Sequence, residues 1–162
     1  MSDDFEDRLQ SAIRRGQRRG ERHQQAARAA ELTEEEFKRL HTSHRLVLSD
    51  RIEKAIDGVA HYFPGFRTEM IYGEAGWGAA CYRDDLQISS GRRSSLYSRL
   101  EMTIRPLTAS HVLELRGKAT VANKEHFNRV YFVPLLEVDV DDFARLIDAW
   151  VIDYAEFYAS RN

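Results

Sequence analysis

From Phe66 to Val133 the apolar residues recur at every second position in five successive runs, and the links between those runs are short. A period of two puts alternate side chains on one face of a strand. Parallel neighbours need a crossover of a dozen or more residues, usually helical, so short links favour an antiparallel meander. The third run is the cleanest, with Leu96, Ser98, Leu100, Met102 and Ile104 on one side and Tyr97, Arg99, Glu101, Thr103 and Arg105 on the other. Before it, Phe66–Tyr72 turns through Gly73-Glu74-Ala75-Gly76 into Trp77–Tyr82, and residues 84–95 read mostly as loop. After it, Leu113–Val121 turns at Ala122-Asn123-Lys124-Glu125 into Phe127–Val133, which stops at Pro134.

Helical periodicity flanks this sheet. Thr33 and Glu36 form a capping box, with Leu32 and Phe37 as the hydrophobic staple across it. Phe37, Leu40, Leu48, Ile52, Ile56, Val59 and Phe63 then follow at helical spacing as far as Pro64-Gly65. They predict a helix over about 34–63, continuous or broken near Ser49. At the other end Asp139 caps a helix over about 140–159, Val138 and Phe143 staple it, and Asp141 and Asp142 suit its positive end. Its stripe of Phe143, Leu146, Ile147, Trp150, Tyr154 and Phe157 fits a sheet surface. The expectation is an α+β core over 32–162: a five-stranded antiparallel meander covered by two helices.

Residues 1–31 predict a charged helical arm of a different kind. Arg8, Arg14, Arg15, Arg18, Arg19 and Arg22 fall within an arc of about 140° at helical spacing. The opposite side offers Phe5, Leu9, Ala12 and Ile13, and beyond them little larger than Gly16 and Gly20. Each glycine costs about 1 kcal/mol against alanine in a helix interior. Such a helix carries charge but cannot build a core, so its expected role is to meet something else.

Net charge is −2 over 162 residues, which argues against a general polyanion binder, but its distribution is uneven. Arg8 to Ala30 holds seven arginines against one acid, and Glu137 to Glu156 holds seven acids against one arginine. These two segments could engage each other, within a chain or between two, and rows of such pairs set orientation and association rate. The single cysteine, Cys81, excludes an internal disulfide and argues against a cysteine-built zinc site. No apolar run reaches the roughly 20 residues of a bilayer span, and the first residues are acidic and polar. A cytoplasmic protein without membrane contact is expected.

Signatures of chemistry are sparse. The chain has no Walker loop, nucleophile elbow, His-Glu-x-x-His pair or dinucleotide fingerprint. The stretch Gly73–Gly78 lies between strands and reads as a hairpin rather than a phosphate cradle. Cys81 reads as packing, and His41 with His44 as a solvated helix face lacking a third metal ligand. Glu69 and Asp84 could face one another across a hairpin and raise one pKa, but exposed charge at a strand end is the expected reading. No cofactor or metal is expected.

The arginines carry more: the stripe on the arm, and a second group of Arg92, Arg93 and Arg99 beside Ser89, Ser90, Ser94 and Ser95, which could grip phosphates. Three functions follow as expectations. The first is a non-enzymatic protein-binding or adaptor module that self-associates through the basic helix, its partner another protein or a second copy. The second is nucleic-acid or phosphate-ligand binding through both arginine groups, against which stands a pI near 6.3. The third is a small enzyme with a pocket between sheet and helix drawing on Tyr82, Arg83 and Asp85.

Overall fold

The computed structural model describes residues 2–28 and 32–161. In chain order these are α1 (Ser2–Arg28), α2 (Glu34–Tyr62), β1 (Arg67–Ile71), β2 (Trp77–Ser89), β3 (Arg92–Ile104), β4 (Val112–Val121), β5 (Lys124–Pro134), a 3₁₀ turn (Leu135–Glu137) and α3 (Val140–Ser160). The strands form one antiparallel sheet in the order β1-β2-β3-β4-β5. The α+β meander expected from the alternation is the fold observed. The boundary placed at residue 31 lies outside the described residues.

The helix starts are built as the capping residues require. The Glu36 amide donates to Thr33 Oγ1 at 3.2 Å, and that hydroxyl donates to the Glu36 carboxylate at 3.1 Å. Past this box α2 runs unbroken through Ser49. At α3 the Asp141 amide donates to Asp139 Oδ1 at 3.0 Å. α2 and α3 cover the same face of the sheet. Leu48, Ile52, Ile56 and Val59 from α2, and Phe143, Ile147, Trp150 and Tyr154 from α3, bury Leu100, Met102, Ile104, Leu113 and Leu115 beneath them. Tyr154 lies within this layer, and its hydroxyl is satisfied by the Thr120 carbonyl at 3.1 Å.

Residues 84–95 are not a loop. β2 and β3 pair over thirteen rungs from Trp77–Ile104 to Ser89–Arg92, whereas β1 covers β2 only to Tyr82 and β4 covers β3 only from Arg99. Beyond Tyr82 and Arg99 the hairpin therefore leaves the sheet as a two-stranded ribbon. It turns at Ser90-Gly91, both at positive φ, the geometry that matches the twist of a two-residue hairpin. Asn123 braces its base: its backbone amide donates to the Tyr97 carbonyl, its side-chain amide donates to the Ser95 carbonyl, and its Oδ1 accepts from the Tyr97 amide, each at 2.8 Å. One residue, through its backbone amide and its side chain, thus supplies the rung that β4 does not reach.

Candidate functional site

The N-terminal helix is 27 residues long, about 40 Å, and among the described residues only its second half is tied to the rest of the chain. Arg18 donates to Asp141 at 3.3 Å, Arg22 to Asp139 at 3.0 Å, and His23 Nδ1 lies 2.6 Å from Glu137. All three acids sit at the entry to α3. The basic segment and the acidic segment meet within one chain, across 114 to 123 residues. The Arg18 pair is exposed and worth about 0–1 kcal/mol. The Arg22–Asp139 pair is largely shielded from water, and Asp139 serves both Arg22 and the helix cap with its two oxygens.

That double duty gives a measurable expectation. Asn caps a helix about as well as Asp, so Asp139→Asn should leave core stability within about 1 kcal/mol while removing the charge that holds Arg22. The expected result is faster trypsin cleavage at Arg14–Arg22 with an unchanged urea midpoint. Asp139→Ala, which loses the cap as well, should lower stability by about 1–2 kcal/mol. Equal cleavage of the native chain and Asp139→Asn would mean the pair does not hold α1.

Among the described residues the first half of α1 reaches no such anchor. Phe5, Leu9 and Ile13 are 63, 46 and 50 % exposed. Between the helix and the body lies a cleft of about 830 Å³, lined on the α1 side by Gly16, Arg19, Gly20 and His23 and floored by Tyr131, Val133 and Phe143. A Cβ added at Gly16 or Gly20 would meet nothing within 4 Å. These glycines therefore border open space.

The arginines fall into separate surroundings. Arg8 pairs with Asp4 one turn away at 3.8 Å, and Arg14 donates to Ser11 at 3.4 Å, both within the helix. Arg15 is half-buried along its own helix beside Asp7, Arg8 and Ser11. Arg19 borders the cleft and makes no ion pair among the described residues. Arg92 and Arg93 are exposed at the ribbon tip, on consecutive positions and hence on opposite faces. Arg99 lies six residues away from Arg93 within the sheet, on the face that neither helix covers, between Glu69 at 2.6 Å and Glu101 at 3.2 Å. Burial pulls its pKa down, but Glu69 and Glu101, with a hydrogen bond to Tyr97, more than reverse this and leave it raised. Arg92, Arg93 and Arg99 are thus not one patch.

Other chemical candidates are also placed. The Glu69–Asp84 pairing does not form, because Glu69 stands opposite Ala80, four positions from Asp84. Arg83 spends its guanidinium on Asp85 at 2.6 Å and the Pro64 carbonyl at 2.8 Å, while Tyr82 lies on the opposite face of the strand beneath Arg99. The three do not converge. Cys81 is fully buried, and burial chiefly pushes its thiol up to about 12, far from a nucleophile's range. His41 is buried rather than solvated: its Nε2 lies 3.1 Å from the Arg105 carbonyl, its ring meets Trp77 edge-on, and burial lowers its pKa. His44 is lowered too, again mainly by burial. No group of three metal-ligating side chains occurs among the described residues, and no helix among them is long and apolar enough to cross a membrane.

The cleft floor escaped the sequence reading because Tyr131 and Val133 alternate like any core strand, and nothing local says that α1 faces them across a cleft. The signal that pointed here was the opposed charge of the two segments. Compared with protein-family models, with curated proteins and with solved structures, the chain matches none.

Proposed function

We propose that the chain is a non-enzymatic protein-binding module that associates through α1. The observation that carries this reading is the state of the helix itself: it is anchored at one end by ion pairs, and at the other it holds three large apolar side chains in water. Intramolecular packing leaves that surface unspent, and contiguous exposed apolar residues rimmed by charge mark contact sites. The arrangement favours a protein partner over a polyphosphate one. Arg18, Arg22 and Arg99 already have carboxylates, and the remaining arginines do not line one groove.

The test compares the full chain with one lacking residues 1–31. Light scattering should report association for the full chain and its loss on truncation, while the core keeps its cooperative unfolding with a midpoint within a few degrees. Unfolding of the truncated chain would make α1 part of the core and overturn the proposal, as would association that survives truncation.

A further inference from the structure

We infer that two copies of the chain pair through antiparallel α1 helices, the first third of each entering the cleft beside Gly16 and Gly20 of the other. This rests on the reading above and names its partner.

The apolar face of α1 is divided by size along its length. Phe5, Leu9 and Ile13 follow at intervals of one turn, and the same face continues as Gly16 and Gly20. Turning a second copy end to end about a point between residues 12 and 13 sets Phe5 opposite Gly20, Leu9 opposite Gly16 and Ile13 opposite Ala12. Every large side chain then meets a small one, twice, as a two-fold interface requires. Both partners are available: the large residues are exposed, and no atom stands within 4 Å of where a Cβ would project from either glycine. The cleft beyond the glycines has part-exposed apolar side chains, Tyr131 and Val133, on its floor to receive an aromatic ring.

The chain cannot fill this space with its own Phe5. That residue and Gly20 are fixed about 22 Å apart along one continuous helix. Charge selects the direction. Residues 2–13 of the helix hold four acids against Arg8, and residues 14–28 hold six arginines against Glu21. An antiparallel pair lays acidic ends on basic ends, whereas a parallel pair stacks the arginines on each other. Within the cleft the carboxylates are already engaged, Glu137 by His23, Asp139 by Arg22 and Asp142 by Arg145. Arg19 at its border makes no ion pair among the described residues and faces the acidic first turns of the second copy.

The experiment uses the full chain. Sedimentation equilibrium should show a dimer, and Leu9→Asp should raise its dissociation constant at least about a hundredfold, since symmetry counts each substitution twice. Leu9 is already half in water, so circular dichroism should show the core intact. Orientation is read by cross-linking. When Phe5→Cys chains are mixed with Gly20→Cys chains and mildly oxidised, the mixed disulfide should dominate, with Cys81 silent because it is buried. A dimer that survives Leu9→Asp, or disulfides forming chiefly between two Phe5→Cys chains, would overturn the pairing. So would a full chain that stays monomeric. The first two outcomes leave the broader reading standing, because it fails on other results: a full chain that does not associate, an association that survives the loss of residues 1–31, or unfolding of the core on that loss.

Discussion

Phe143→Ala is expected to lower the free energy of unfolding by about 3–5 kcal/mol, seen as a clear fall in the urea midpoint at unchanged slope. Phe143 is fully buried in the first turn of α3 and meets Tyr131 edge to face, ring centroids 5.0 Å apart. It is also the inner half of the staple with Val138, so its removal loosens the entry angle of α3 where Asp139 caps it. The side chain is enclosed on all sides, so alanine leaves a cavity that its neighbours can close only in part. Phe143→Leu keeps most of the volume and should cost less than half as much. A loss below about 1 kcal/mol for the alanine variant would mean that α3 does not pack on β5 as described.

What the residues disclosed, and what they concealed, divides along physical lines. Both capping motifs act between neighbours three or so residues apart, so Thr33-Glu36 and Asp139-Asp141 could be read directly from order in the chain. The buried halves of β3 and β4 declared themselves because one face must be apolar and the other need not be. The ribbon did not. Residues such as Asp84, Gln87, Ser89, Ser94 and Ser95 have no core to face, so no alternation marks them, and only the ladder between the two strands holds them extended. The arginines illustrate the same limit for the site. Their helical spacing was plain, but Arg22 and Asp139 are 117 residues apart, and no local pattern says which acid a given arginine will meet. Arg99 resembled Arg92 and Arg93 in the sequence and differs from them entirely in the fold, because β1 brings Glu69 to its side.

Two glycine-to-alanine substitutions should move stability in opposite directions, by about 4 kcal/mol between them. Gly58 lies in the interior of α2, and a Cβ there would meet nothing within 4 Å. Gly58→Ala should therefore stabilise the protein by about 1 kcal/mol, by limiting the unfolded chain and favouring the helix. Gly78 is different. It stands opposite Thr103 where β2 and β3 come close, and a Cβ would fall 1.9 Å from the Met102 carbonyl oxygen and 2.9 Å from its carbon. Those are backbone atoms, and β3 cannot retreat, because β4 is bonded along its other edge from Arg99 to Ile104. The strands must separate locally or lose rungs, and Gly78→Ala should cost about 3 kcal/mol. Paired urea titrations of the two variants against the native chain supply the comparison. If Gly78→Ala matched the native midpoint, the close approach of β2 to β3 at this rung would be wrong.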